Sequence, residues 1–272
     1  MSFLQRFRCI LSPVLSYLIN EMFIQGIFPK QLKIAKIIPI FKKGDRLLLN
    51  NYRPIAILPS LSKIVESLLL RRLEKFFEEQ DILSCSQFGF RKKMSTELAL
   101  SNAVEKIKSN IDSKQLTMGI FVDFSKAFDL IDHRILLTKL ERYGLGGIPL
   151  QLLESYLLDR KQSVVAYSSY ATCSCGVPQG SILGPFLFLI YINDLPRSIN
   201  EYCVLYADDT SIFVQEHDIT NLFAKANEVL KKFSVWVASN RLVPNFSKSS
   251  FIIFHRPQRQ LNRSGFTCLL TH

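Results

Sequence analysis

Apolar residues along the chain form short runs typical of β-strands and longer stretches with the spacing typical of α-helices. Two short apolar runs, at 37–41 and 52–58, flank a basic turn segment at 42–45, which predicts a β-hairpin within residues 33–58. Helical spacing then predicts a helix from Pro59 to about Gln80 and a second helix after it. We expect the apolar stripe of that second helix to face the core; it consists of Leu100, Val104, Ile107 and Ile111.

Further strands and helices are predicted in the middle of the chain. An apolar strand at 118–122 runs directly into Asp123, and the helix that follows is capped by Asp132 and ends at Gly144. A helix after Pro149, a hairpin within 162–175 and a loop at 176–180 come next. The glycines of that loop allow the backbone to approach a ligand closely.

The stretch 204–214 combines two apolar runs with Asp208 and Asp209 between them, which predicts a hairpin with two carboxylates at its turn. An amphipathic helix at 222–237 is expected to cover one face of a sheet, and 251–254 would add a last strand. Because strands and helices mix in irregular order, the predicted fold class is α+β.

Composition narrows the class of protein. The 272 residues are 48% hydrophobic, which is enough for a sizeable globular unit. The net charge of +11 favours a polyanion such as nucleic acid, with an anionic membrane surface as the alternative partner. The longest apolar run, 182–192, is broken by Gly184 and Pro185 and is shorter than the roughly 20 residues that a spanning helix needs. An integral membrane protein is therefore not expected, and the predicted partner is nucleic acid rather than a membrane.

The amino terminus and the cysteines bear on the compartment. Arg6 and Arg8 precede an apolar stretch, as in a secretory signal, but Pro13 interrupts it and no small-residue cleavage site follows. The six cysteines lack disulfide-framework spacing, and no zinc ligand set stands at suitable spacing. We expect a reducing compartment, nuclear or cytoplasmic, and no secretion.

Three carboxylates suggest the chemistry. Asp123 and Asp208 each follow an apolar strand, so a sheet would bring them together, and like charges that close require cations. Two magnesium ions suit such oxygen ligands and assist phosphoryl transfer. The alternative is that Asp208 and Asp209 are ordinary turn residues. Asp123, the glycine loop and the basic hairpin tip favour metal-assisted nucleotidyl transfer.

The motifs also resemble a known family. FVDFSKAFD at 121–129, GVPQGS at 176–181 and YADD at 206–209 look like the three central palm motifs of reverse transcriptases, in their order. IPIFKKGD at 38–45, NYRPI at 51–55 and QFGFR at 87–91 resemble fingers motifs of reverse transcriptases from non-LTR, LINE-type retrotransposons. Trp236 to Asn240, Asn245 and Lys248 fit the next palm motif. The resemblance covers roughly residues 20–255.

The resemblance implies a right-hand polymerase fold with an antiparallel palm sheet flanked by helices. Residues 1–115, with a helical lead-in, would form the fingers, residues 116–256 the palm, and 257–272 a basic polar tail without assignment. The chain ends soon after Lys248, and neither a thumb nor an endonuclease pattern is present. We therefore expect a truncated chain whose full-length relatives carry both missing domains.

The resemblance also implies a metal site. Asp123 and Asp208 would be the principal ligands of two Mg2+ ions, with Mn2+ a possible substitute. Asp209 would be the third carboxylate, and the main-chain carbonyl of Phe124 an extra ligand. Lys248 matches a lysine near the pyrophosphate leaving group and would act as a general acid; a solvated surface lysine is the alternative.

The substrates would be bound by two further groups of residues. Lys42 or Lys43, together with Arg53, would bind the triphosphate of a deoxynucleotide, since a guanidinium fork matches phosphate oxygens. Phe128 stands where the family places a steric gate against the ribose 2′-hydroxyl, a buried core phenylalanine being the alternative. The remaining assignments are the nucleotide-pocket residues Gln179 and Gly180 and the template-binding residues Gln87, Phe88, Gly89 and Arg91.

Two functions from different classes follow. The first is an RNA-directed DNA polymerase that extends a DNA primer on an RNA template during retrotransposition. The second is a non-catalytic remnant that retains nucleic-acid binding. An RNA-templated RNA polymerase is a further alternative, but the motif spelling and the bulky Phe128 favour deoxynucleotides.

Overall fold

The computed structural model describes residues 6–164 and 170–257. It is an α+β structure, as predicted, and it divides into two compact units. Unit 1 lies within residues 1–76 and 132–184, and unit 2 lies within residues 77–131 and 185–272. Each unit therefore joins two separate stretches of chain.

Unit 1 contains a four-stranded sheet beside helices. Its strands are β1 (Ile34–Phe41), β2 (Tyr52–Ile57), β4 (Arg160–Val164) and β5 (Ala171–Cys173), in the order β2-β1-β4-β5. The predicted hairpin is confirmed, because β1 pairs antiparallel with β2 from Lys36↔Ile57 to Phe41↔Tyr52. Strand β4 runs parallel to β1, a pairing that no local pattern predicted.

The helices of unit 1 follow the apolar patterns of the sequence. They are α1 (Arg8–Gln25), most of α2 (Ser60–Glu79), α4 (His133–Arg142) and α5 (Gly147–Leu157). The predicted cap of α4 is confirmed, since the Asp132 carboxylate accepts hydrogen bonds from the N–H groups of Arg134 and Ile135. Helix α4 is followed by Gly144 at φ +90°, a backbone conformation that glycine adopts without steric cost.

Unit 2 contains a fully antiparallel sheet. Its strands are β3 (Leu116–Val122), β6 (Tyr202–Tyr206), β7 (Asp209–Glu216) and β8 (Ser250–Phe254), in the order β6-β7-β3-β8. The predicted strand before Asp123, the hairpin around Asp208 and the last strand are all confirmed.

The helices of unit 2 surround this sheet. They are α3 (Thr96–Asp112), most of α6 (Gly184–Ile192), α7 (Leu195–Ile199) and α8 (Ile219–Ser239). Helix α8 is the predicted amphipathic helix, and it packs on β3 and β7. Residues 187–192 of the broken apolar run lie in α6 and are fully buried. Burial inside the protein accounts for a helix that is apolar on all sides. Among the described residues, no helix is both long and apolar enough to cross a bilayer.

The predicted core stripe of α3 is wrong in part. Leu100 is 65% exposed, and Val104 is exposed as well. The buried face instead carries Ala99 and Asn110, with the Asn110 side-chain amide donating hydrogen bonds to Thr117 Oγ1 at 3.0 Å and to Gln215 Oε1 at 3.0 Å. The buried face of α3 therefore contains the small Ala99 and the hydrogen-bonded amide of Asn110, and apolar spacing alone did not predict it.

Candidate active site

Three carboxylates lie at one end of the sheet of unit 2. Strand β3 pairs with β7 as far as Val122↔Thr210, so Asp123 and Asp209 are the next residues along this ladder. Asp209 also pairs with Tyr206 in the β6–β7 hairpin, which leaves Ala207 and Asp208 as its two-residue turn. The sheet therefore brings Asp123 beside Asp209 directly, while Asp208 stands at the tip of the hairpin.

Electrostatic coupling among these carboxylates is visible in the pKa of Asp209. Although the residue is exposed, partial burial of its carboxyl group raises the pKa, and the negative charges of Asp208 and Asp123 raise it further. The positive charge of Lys248 acts in the opposite direction. The three carboxylates thus form a local excess of negative charge.

Asp123 is held by the segment between α8 and β8. Lys248 Nζ lies 2.9 Å from Asp123 Oδ2, and the side-chain amide of Asn245 donates a hydrogen bond to the same oxygen at 3.2 Å. The main-chain N–H of Asn245 donates to the carbonyl of Asp123 at 2.7 Å, and the N–H of Asp123 donates to Ser249 Oγ at 3.4 Å. Lys248 was predicted from its motif, whereas the contacts of Asn245 and Ser249 were not.

The carboxylate oxygens of Asp123, Asp208 and Asp209 suit a hard divalent cation, which prefers carboxylate and carbonyl oxygens as ligands. The excess negative charge at Asp209 is a second observation in favour of a cation here. Within the described part of the chain, however, no group of three histidine, cysteine or acidic side chains is arranged to hold a metal ion. Phe124 forms an isolated antiparallel bridge with Pro244, and the N–H of the next residue, Ser125, donates to the carbonyl of Val243 at 2.8 Å.

Phe128 is partly buried in unit 2. Its ring centroid lies 5.0 Å from that of Phe188 and 6.3 Å from that of Phe90. The fully buried Phe188 supports one side of the ring, while Phe90 is 50% exposed. Phe128 is therefore neither a core residue nor a free surface side chain.

The four predicted template-binding residues lie in a loop of unit 2 and differ in exposure. Gln87, Phe88 and Gly89 are buried, and Gln87 is only 1% exposed. Arg91 is half-buried, and its Nη1 donates hydrogen bonds to the carbonyls of Ser84 and Gln87 at 2.8 and 3.2 Å. Their role in template binding stays a prediction.

The predicted triphosphate-binding residues lie at one end of the hairpin of unit 1. Arg53 pairs with Ile40 across the β1–β2 ladder and is exposed. Lys42 and Lys43 follow β1 and are exposed as well, and the N–H of Lys42 donates to the carbonyl of Asn51 at 2.8 Å. The hairpin therefore presents three cationic side chains to solvent.

The glycine loop of unit 1 packs on β2. The N–H of Ala56 donates to the carbonyl of Gln179 at 2.8 Å. Gly180 has φ +117°, and a Cβ there would lie 2.8 Å from the carbonyl oxygen of Ala56. Gly180 is thus required both by its φ and by its contact, and the loop lies against the strand that carries Arg53.

A buried carboxylate beneath this loop was not predicted. Glu66 is fully buried, and its Oε2 accepts a hydrogen bond from the N–H of Ile182 at 2.7 Å. Its Oε1 accepts hydrogen bonds from Ser62 Oγ at 3.1 Å and from the Tyr156 hydroxyl at 3.4 Å. The signal available in the sequence was a pair of polar residues, Ser62 and Glu66, four positions apart beside the apolar stripe of α2.

The comparisons identify the family. Residues 40–268 match the family model described as reverse transcriptase (RNA-dependent DNA polymerase). This match covers most of the chain, so the chain belongs to the reverse transcriptase family. The resemblance to reverse transcriptases of non-LTR retrotransposons, predicted from the motifs, is confirmed.

Two curated relatives are proteins of mobile elements of a fly. The chain is 34% identical over 266 residues to the RNA-directed DNA polymerase from mobile element jockey of Drosophila melanogaster, covering 92% of this chain and 28% of that protein. It is 34% identical over 244 residues to the probable RNA-directed DNA polymerase from transposon X-element of the same fly, covering 85% and 26%. The chain thus spans little more than a quarter of the length of these relatives.

Proposed function

We propose that this chain is the polymerase core of an RNA-directed DNA polymerase, which extends a DNA primer on an RNA template during retrotransposition. The observation that carries the proposal is the position of Asp123 beside Asp209, with Asp208 at the adjoining hairpin turn. Membership of the reverse transcriptase family supports it. The net charge of +11 favours the nucleic-acid backbone as a partner through salt-sensitive contacts.

We assign the metal-binding role to Asp123, Asp208 and Asp209, with the main-chain carbonyl of Phe124 as an additional oxygen donor. Two Mg2+ ions, or Mn2+ in their place, would supply charge neutralisation for the attacking and leaving oxygens. Burial raises the pKa of Asp209, and the charges of Asp208 and Asp123 raise it further. The second effect supports this assignment, because a cation would relieve the repulsion among the three carboxylates.

The reaction is a displacement at the α-phosphorus of a deoxynucleoside triphosphate. The primer 3′-hydroxyl gives its proton to solvent water, and its oxygen bonds to the α-phosphorus. The bond from the α-phosphorus to the oxygen that bridges to the β-phosphorus breaks, and pyrophosphate leaves with that electron pair. Lys248 donates a proton to the leaving pyrophosphate in this scheme. Its Nζ lies 2.9 Å from Asp123, which supports a place within the site.

The residues that we assign to substrate binding lie partly in unit 1 and partly in unit 2. In unit 1, Arg53 and either Lys42 or Lys43 bind the triphosphate, and the loop at Gln179 and Gly180 lines the nucleotide pocket. In unit 2, Phe128 excludes the ribose 2′-hydroxyl, and the segment 87–91 meets the template strand. Residues 1–115 are assigned to the fingers and 116–256 to the palm; residues 258–272, in the unassigned tail, lie outside the described residues.

The test is extension of a labelled DNA primer on an RNA template by the 272-residue chain, with and without Mg2+. We expect extension that Asp208→Asn abolishes and that Asp81→Asn leaves unchanged, since Asp81 is an exposed turn aspartate outside the site. Absence of extension by the unaltered chain, together with retained salt-sensitive heteroduplex binding, would overturn the catalytic proposal in favour of a nucleic-acid-binding remnant.

A further inference from the structure

Residues 84–91 of unit 2, here called the brace, run along the outer edge of β6. Gln87 forms a parallel bridge with Leu205. The N–H of Phe88 donates to the carbonyl of Leu205 at 2.8 Å, and the N–H of Leu205 donates to the carbonyl of Ser86 at 2.8 Å. The brace therefore satisfies an edge strand whose continuation is the turn that carries Asp208.

Gly89 of the brace touches that turn. A Cβ at Gly89 would lie 2.1 Å from the main-chain nitrogen of Ala207 and 2.9 Å from its Cα. These are backbone atoms, so no side-chain rotation would relieve the overlap. Gly89 is not among the residues with positive φ, so the contact alone requires glycine here.

The turn itself is in an unusual conformation. Ala207 has φ +57°, in the left-handed region that residues other than glycine rarely adopt, and it is buried. Such a conformation persists only when the surrounding structure holds it. Gly89 is the brace residue in direct contact with it.

The brace is in turn held by side chains. Gln87 is 1% exposed, and its Oε1 accepts a hydrogen bond from the N–H of Gly89 at 2.9 Å. The N–H of Ser84 donates to Asn193 Oδ1 at 2.8 Å, which ties the start of the brace to the end of α6. The Gln87 Nε2 atom has no hydrogen-bond partner among the described residues. Burial of this amide therefore lowers the free energy of unfolding, because the N–H groups lose their hydrogen bonds to water.

We infer that Gly89 and Gln87 are positioning residues. They fix the position of the Ala207–Asp208 turn and thereby the placement of the Asp208 carboxylate relative to Asp123. This inference rests on the proposed polymerase function of the same site. It assigns to two buried residues of the QFGFR motif a role toward the hairpin, in addition to the template contact proposed for the segment 87–91. A displacement of about 1 Å at a reacting centre costs about 100-fold in rate.

The test compares Gly89→Ala with Gly146→Ala. Gly146 is the matched control, because its φ is −120° and a Cβ there would meet nothing within 4 Å. We expect Gly89→Ala to lower kcat for primer extension by about 100-fold while KM for the deoxynucleotide stays within about twofold. Gly146→Ala should behave like the unaltered chain. Unchanged kcat in a folded Gly89→Ala protein would overturn the inference.

A second variant covers failure of Gly89→Ala to fold. Gln87→Met retains the volume of the side chain but removes the acceptor for the Gly89 N–H, so kcat should fall by about tenfold through partial release of the turn. Full activity of Gln87→Met would then exclude positioning by the brace.

Electron paramagnetic resonance measures the binding of Mn2+ alone, without primer, template or nucleotide. This measurement tests the inference about the brace separately from the proposed polymerase function. If the unaltered chain binds Mn2+ but extends no primer, the polymerase proposal fails, and weaker Mn2+ binding by Gly89→Ala would still support the brace. Equal Mn2+ binding by the Gly89→Ala and Gly146→Ala proteins would overturn it.

Discussion

The ammonium group of Lys248 lies 2.9 Å from Asp123 Oδ2, so this lysine partly neutralises the carboxylate that ends β3. Lys248 is 61% exposed and the Asp123 side chain 23%, which makes the pair an exposed one of modest strength. A lysine in this position also competes with any cation that approaches Asp123. In the proposed polymerase reaction, a metal ion bound at Asp123 would replace this ion pair and leave Lys248 available to protonate the pyrophosphate.

Removal of this competition is the first prediction. Lys248→Met should tighten Mn2+ binding by about two- to fivefold, the range that an exposed ion pair supports. Isothermal titration calorimetry with Mn2+ measures this, and Lys232→Met is the control because Lys232 forms an exposed pair with Glu228 at 2.8 Å. Weaker Mn2+ binding by Lys248→Met would contradict the competition.

The second prediction concerns stability against pH. The pKa of Asp209 is raised in the folded state, so the ionised carboxylate lowers the free energy of unfolding. This loss of stability is present at pH values above the ordinary aspartate pKa of about 3.9. Asp209→Asn should therefore raise the free energy of unfolding at pH 7, by about 0.5 kcal/mol after solvent screening. As the pH falls through the raised pKa toward that ordinary value, the wild-type carboxyl takes up its proton and the difference closes.

Urea denaturation in buffer with a chelator at pH 7 and pH 4 measures this difference. Asp81→Asn is the control, since Asp81 is exposed and outside the carboxylate group. A stability gain of equal size at the two pH values would show that ionisation of the Asp209 carboxyl group is not its cause.

The third prediction concerns the buried Glu66 beneath the glycine loop. Glu66→Leu removes the acceptor for the Ile182 N–H and for two buried hydroxyls, so it should lower the free energy of unfolding by about 2–4 kcal/mol. Glu66→Gln keeps one acceptor oxygen and should lose about 1 kcal/mol. Chemical denaturation measures both, with the exposed Glu154→Leu in the same unit as control. Equal losses in Glu66→Leu and Glu154→Leu would refute the role of this network.

The fourth prediction concerns sugar selection by Phe128. In its proposed role as steric gate, the Phe128 ring excludes the 2′-hydroxyl, so Phe128→Ala should increase incorporation of ribonucleotides relative to deoxynucleotides. Loss of its packing on Phe188 should also lower stability by about 1–3 kcal/mol. Single-nucleotide incorporation assays give the ratio, and Phe121→Ala, another partly buried phenylalanine of unit 2, is the control. A ratio unchanged from that of the control would leave Phe128 as a packing residue.

Local patterns were sufficient for most elements of the fold. Apolar runs and helical spacing predicted the β1–β2 hairpin, the strand before Asp123, the hairpin that carries Asp208 and helix α8, because the apolar residues that define each element stand close together in its own sequence. Asp132 and Gly144 marked the ends of α4, since capping depends on neighbouring residues only. The order and spelling of the motifs also determined the family.

Long-range partners were decided by the tertiary structure alone. Three features depend on residues far apart in the sequence: the parallel pairing of β4 with β1, the burial of Ala99 on α3 against Val204 and Phe213, and the contacts of Glu66 with Tyr156 and Ile182. The same holds at the site, where the sequence supplied Asp123, Asp208 and Asp209 as residue types. The register of β3 against β7 decided that Asp209 lies directly beside Asp123, and the contact of Gly89 with Ala207 decided what supports the turn. Register and close packing depend on how distant side chains fit together, and a local pattern carries no information about that fit.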